Sequence, residues 1–147
     1  MGKTCFFIGH RDTLDSIYPQ LVEEVERHIT EHGVDTFVVG HYGRFDALAA
    51  RAVREAKMCH PSVKLLLLLP YHPAEQSVSA DGFDGTFYPD GMERIPRRAA
   101  ILQANRRMID HCDYLIAHAW QPGSNAVKFV EYANENQKML CYIQSCK

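Results

Sequence analysis

No run in this sequence is apolar for long enough to span a bilayer. The most apolar stretch is the five leucines at 65–69, closed by Pro70, whereas a spanning helix needs roughly 20 such residues. Strand-like sequence begins directly after Lys3, which leaves no room for a signal peptide. HExxH and CxxC pairs are absent, so no metal site is expected. The strand-end histidines His10, His41, His72 and His118 can equally bond ligand oxygens or loop carbonyls. Neither G-x-G-x-x-G nor a complete G-x-x-x-x-G-K-[ST] occurs, the G-K-T at 2–4 leading into a strand rather than out of one, which removes the dinucleotide fingerprint and P-loop ATP hydrolysis, and no cofactor is implied. The cysteines are odd in number and widely spaced (5, 59, 112, 141 and 146). That argues against a disulfide framework and for a reducing cytoplasm. A formal charge of -2 argues against broad binding to nucleic acid or an anionic membrane.

What the chain does have is one local pattern repeated three times. A short apolar run ends in small or polar residues, and helical periodicity follows at once: TCFFIGHRDT at 4–13, DTFVVGHYGRFD at 35–46 and DYLIAHAWQPGSN at 113–125. Strand candidates lie at 4–8, 36–39, 63–69, 114–117 and 139–143, apolar throughout as in strands covered on both faces. Helical stripes lie between them. Leu14, Ile17, Leu21, Val25 and Ile29 mark the first, with Asp12 as its expected cap and Gly33 as its stop. A further helix is expected from about Arg97 to His111, burying Ile101, Leu102, Met108 and Ile109. The alternation predicts a single α/β domain, a three-layer Rossmann-like sandwich with a mostly parallel sheet of about five strands in the order 3-2-1-4-5. That order places the first and fourth strand ends side by side at a crossover crevice, where open sheets bind ligands. Residues 71–96, rich in proline and glycine, read as a long loop or short irregular helix over that end.

The candidate ligand residues sit at these junctions. Gly9, Gly40, Gly43 and Gly123 allow close backbone approach, and the helices behind them offer N–H groups to an anion. His10 and Arg11 follow the first strand, and Arg11 can form a charge-assisted bond to phosphate or pair with Asp12 or Asp15. His41 and Arg44 belong to the second loop, where Asp46 is either a helix cap or an acceptor for a ribose hydroxyl. Asn105 and Arg106 precede the fourth strand. Arg106 can reach a phosphate or pair with Asp110. Ser124 and Asn125 open the last helix. Tyr42 and Trp120 are the exposed-aromatic candidates. A small phosphorylated ligand is the expected partner and no membrane is. Nucleic acid is not expected, since Arg94, Arg97, Arg98, Arg106 and Arg107 divide between helix faces and lie near Asp90 and Glu93.

These segments together resemble the SLOG superfamily, in particular its small bacterial and phage branch once grouped as DUF1273 (YspA- and YoqJ-like proteins). The matching stretches are FFIGHR at 6–11, FVVGHYGRFDALAARAV at 37–53, NRRMIDHCDYLIAHAW at 105–120 and NAVKFVEYA at 125–133. The resemblance implies a Rossmann-type domain that binds nucleotides, nucleotide sugars or related signalling ligands. Two departures stand out: Ser124-Asn125-Ala126 replaces a GGT-like turn, and His41 replaces a glycine. Enzymes of the broader fold cleave N-glycosidic bonds, which needs a carboxylate and a proton donor. Asp46 and Asp110 are the candidate carboxylates, and His10 or His41 the proton carrier. The PGGxGTxxE signature of phosphoribohydrolases is absent, its counterpart being PGSNAVKFVE. Binding or sensing is therefore the first expectation, N-glycoside hydrolysis or transfer the second, and an interaction-only role the third. Analogy with related folds also implies a homodimer or larger homo-oligomer.

Overall fold

The computed structural model describes residues 2–40, 43–74 and 79–143. All five expected strands form, as β1 (Lys3–Gly9), β2 (Val34–Val39), β3 (Lys64–Leu68), β5 (Tyr114–His118) and β6 (Met139–Tyr142). A sixth, β4 (Gly85–Phe87), comes from within the expected long loop. The sheet is parallel throughout, in the order β4-β3-β2-β1-β5-β6. The expected order survives intact, with β4 added outside β3. Segment 71–96 is therefore not simply a cover over the ligand end. It supplies a sheet edge, tied by Leu69 N–H to the Phe87 carbonyl and Asp84 N–H to that of Leu65, both 2.8 Å.

Four helices flank the sheet: α1 (Tyr18–His32), α2 (Arg44–Lys57), α3 (Ala100–His111) and α4 (Asn125–Glu135). Side chains alternate along β1 because successive Cβ atoms point to opposite faces. Cys5 and Phe7 join Leu21, Val25, Leu48 and Val53 under α1 and α2. Phe6 and Ile8 join Ala104, Met108, Phe129 and Val130 under α3 and α4. Both faces are thus covered, which is why the strands are apolar without alternation. Among the described residues, no helix is long and apolar enough to cross a membrane.

Two helix starts differ from expectation. Asp12 does not cap α1, because a 3-10 turn over Asp15–Ile17 intervenes, Pro19 lies in the first turn of α1, and Leu14 is 69% exposed. A 3-10 turn over Arg97–Ala99 likewise precedes α3. The α3 residues that face the core are Ala100, Ala104, Met108 and Ile109, while Leu102 is 41% exposed.

Register aligns the strand ends that matter. Gly9 pairs with His118 across β1 and β5, and Val39 with Leu67 across β2 and β3. From β1 the chain builds outward through β2, β3 and β4, then crosses back to β5 on the other side of β1. The carboxyl ends of β1 and β5 therefore form the crossover crevice.

Candidate functional site

At the end of β1 the chain closes against α2. A Cβ on Gly9 would stand 2.1 Å from Cγ of Phe45, and one on Gly43 would stand 2.6 Å from Cα of Arg11. Neither position accommodates a larger residue without movement of its neighbours. Phe45 is buried beneath the loop, its ring 6.4 Å from that of Phe7. The first N–H groups of α2 are consumed locally. Arg44 donates to the carbonyl of Arg11 at 2.9 Å and Phe45 to that of His10 at 3.4 Å. The Arg44 side chain turns away and grips Asp15 through Nε and Nη2 at 2.7 and 2.8 Å. Those hydrogen bonds hold the Asp15 carboxyl below its ordinary range. The α2 terminus therefore binds the neighbouring loop rather than offering Arg44 to a ligand.

The loop after β5 is fastened by a histidine. His10 is only 5% exposed, and its Nε2 accepts N–H bonds from Trp120 at 2.9 Å and Gln121 at 3.3 Å. A ring nitrogen that accepts carries no proton, so the proton resides on Nδ1. Burial lowers the pKa of His10, which favours this neutral form. Among the described residues no acceptor meets Nδ1, which leaves a donor in place. The Trp120 ring stands edge-on to His10 with centroids 4.1 Å apart. His118 donates from Nδ1 to the Ile143 carbonyl at 2.8 Å and stacks on Phe45.

The next turn opens α4. Gly123 takes a left-handed φ of 77°. Ser124 caps the helix, its hydroxyl accepting the Val127 N–H at 3.2 Å. The N–H groups of Asn125 and Ala126 belong to the first turn, where a helix provides no acceptor of its own.

These pieces surround a cavity of about 520 Å³. Its polar lining comes from Gly9, His10, Arg11, Asp12, Gly40, Asp46, Gln121, Ser124 and Asn125. Its apolar lining comes from Phe7, Ile8, Leu68, Pro70, Ile101, Leu102, Ala104, Ala126 and Phe129. Asn105 also lines it, its Nδ2 bound to the Ile101 carbonyl at 2.8 Å. That bond leaves Oδ1 as an acceptor.

The structure thus brings Gly9, His10, Arg11, Gly40, Asp46, Asn105, Ser124 and Asn125 to one cavity. Gly43, Arg44, Arg106 and Gly123 are not in its lining. Gly43 and Gly123 shape the flanking turns, and Arg106 lies over the Tyr132 ring at 5.5 Å. Asp110 also lies elsewhere. It accepts from the Tyr132 hydroxyl at 2.7 Å and borders a separate hollow with Phe87, Asp90, Arg107 and His111. The two candidate catalytic carboxylates therefore do not share a site, and the carboxylate beside Asp46 in the lining is Asp12. Asp46 is not a cap either, since Gly43 occupies that position. Asp113 accepts from Thr4 N–H at 2.9 Å, joining the starts of β1 and β5. His41, Tyr42 and Cys146 lie outside the described residues.

No family model matches the sequence. No curated protein matches it either. The fold does have solved counterparts. DNA processing protein A from Streptococcus pneumoniae is similar over 99% of this chain and 51% of its own, with a TM-score of 0.70 and 16% identity. DNA processing protein A from Helicobacter pylori, in a structure addressing its single-stranded DNA binding mode, is similar over 98% of this chain and 66% of its own, with a TM-score of 0.65 and 17% identity. The Moco carrier protein of Chlamydomonas rheinhardtii follows at a TM-score of 0.57 and 15% identity, over 97% of this chain and 76% of its own. The chain thus spans only half to two thirds of the two DNA-processing proteins. These likenesses overturn the expectation that nucleic acid is an unsuitable partner. Net charge is a sum over the whole surface, whereas binding responds to the local field at a cleft. At identities of 15–17% what is shared is architecture. The chain has a Rossmann-like fold.

Proposed function

We propose that the cavity at the ends of β1 and β5 binds a nucleotide or nucleotide sugar, and that the chain belongs to the DUF1273 branch of the SLOG proteins. The observation that carries this reading is one cavity of about 520 Å³ lined both by polar groups that can donate, among them His10, Arg11 and Asn125, and by apolar side chains. Arg11, the Nδ1–H of His10 and the first turn of α4 meet the phosphate. Leu68, Pro70, Ile101 and Leu102 cover a base, and Asp46 accepts from a sugar hydroxyl. The role is binding or sensing. Of the two candidate carboxylates, Asp110 stands outside the cavity, while Asp46 shares it with His10, whose Nε2 is committed to the loop. Free thiols at Cys5, Cys59, Cys112 and Cys141 favour a reducing, cytoplasmic setting.

A second reading is that the same cavity holds one nucleotide unit of a single strand. The fold likeness to the two DNA-processing proteins favours it, as does Trp120, 47% exposed beside His10, where a neighbouring base can stack. Calorimetry with nucleotides, nucleotide sugars and short single-stranded oligonucleotides tests both. Binding of mononucleotides supports the first reading, and binding confined to oligonucleotides supports the second. No binding of either at millimolar concentration rejects both.

A further inference from the structure

We infer that this cavity selects a ligand with a single phosphoryl group, a nucleoside 5′-monophosphate, over di- and triphosphates and over nucleotide sugars joined through a diphosphate. The inference rests on the nucleotide reading above and goes beyond it by counting charge. Among the described residues, the lining contains one cation, Arg11, against two carboxylates, Asp12 and Asp46.

Of the other arginines that the sequence brings near, none is in this lining: Arg94 and Arg98 are exposed outside it, and Arg97 lies over the Tyr71 ring at 4.4 Å. Arg44 pairs with Asp15, Arg106 lies over Tyr132, and Arg107 donates to the Asp90 carbonyl at 2.9 Å. His10, 5% exposed and in the wall, adds a donor without a charge, because its Nε2 must stay unprotonated to accept from Trp120 and Gln121. The α4 terminus adds N–H groups and roughly half a positive charge. This set matches the oxygens of one phosphate: the Arg11 fork can take two, and His10 with the Asn125 and Ala126 N–H groups can take the rest. A second phosphate adds a full negative charge to a lining that already carries two carboxylates and has no further cation. In a partly enclosed site such repulsion shifts affinity by about tenfold per charge.

The test is calorimetry of the full chain against adenosine, AMP, ADP, ATP and ADP-glucose in EDTA, repeated with the guanosine, cytidine and uridine series. The expected result is tightest binding by a monophosphate, with di- and triphosphates weaker by about tenfold or more. Asp12→Asn, a change at an exposed loop residue, should narrow that gap by about threefold. A di- or triphosphate that binds as tightly as the monophosphate overturns the inference and leaves the nucleotide reading standing. So does a gap that Asp12→Asn leaves unchanged, or a nucleoside that equals its monophosphate. Failure of every nucleotide removes the reading itself and the inference with it.

Discussion

The starts of α2 and α4 look alike in sequence and have opposite fates in the fold. Each follows a strand, a glycine-bearing turn and a polar residue. At α2 the turn is pressed so closely onto the β1 loop that its leading N–H groups bond the carbonyls of His10 and Arg11. At α4 a serine caps the helix, and Asn125 and Ala126 remain beside the cavity. One terminus became a structural joint and the other stayed open to a ligand. What decides is the neighbour: α2 abuts the β1 loop, whereas the start of α4 borders the cavity, its preceding loop fastened by the His10 bonds to Trp120 and Gln121.

The strongest way to break the comparison is to force the joint apart. Gly9→Ala places a methyl group against the Phe45 ring, and Gly43→Ala places one against the Arg11 backbone. Denaturant unfolding should report losses of about 3 and 2 kcal/mol respectively, as overpacking does. Gly123→Ala meets nothing within 4 Å. It should lose only the cost of its left-handed conformation, about 1 kcal/mol. Equal losses at all three sites would contradict a joint that exists at α2 alone.

Arginine substitutions sharpen the functional side. Arg11→Gln should weaken a bound nucleotide about tenfold and leave stability unchanged, whereas Arg44→Gln, which removes the partner of Asp15, should leave affinity untouched. Ser124→Ala should cost about 1 kcal/mol of stability through loss of the cap and lower nucleotide affinity several-fold. A variant that lost stability alone would make the α4 terminus a joint like that of α2.

The smallest expected effect is on pH dependence. Burial lowers the pKa of His10 and of His28, while an unfolded histidine takes its proton near 6.5. Below that pH the unfolded chain binds protons that the native chain resists, so stability falls as pH drops through 6.5 and is complete above it. His10→Gln should flatten part of this slope in unfolding measurements between about pH 7 and 5, leaving the share of His28. An unchanged slope would mean that His10 is not held neutral by its two N–H donors.

The strands and their order were legible because each strand is a continuous apolar run, a pattern produced by helices on both faces. β4 was not, since Gly85-Thr86-Phe87 is too short to carry a pattern and forms only by pairing with β3. The polar lining was legible for a topological reason: parallel strands deliver their following residues to one rim, so Gly9, Arg11, Gly40 and Ser124 converge. The apolar lining was missed. Ile101 and Leu102 sit on a helical stripe, and such a residue reads as core whether it faces a sheet or a cavity. Arg44 and Asp110 were misplaced because a sequence does not disclose partners distant in the chain, here Asp15 and Tyr132. The nucleic-acid expectation failed because whole-chain charge was used for a local question.

The most direct test of the central claim is an amide-resolved NMR titration of the chain with AMP, alongside its guanosine, cytidine and uridine counterparts. Asn125 and Ala126 should show the largest shifts, joined by the backbone amides of His10 and Arg11, while the amides of Arg44 and Phe45, already bonded to carbonyls, stay nearly still. Shifts centred on Arg44 and Phe45 with Asn125 and Ala126 unmoved would contradict the account.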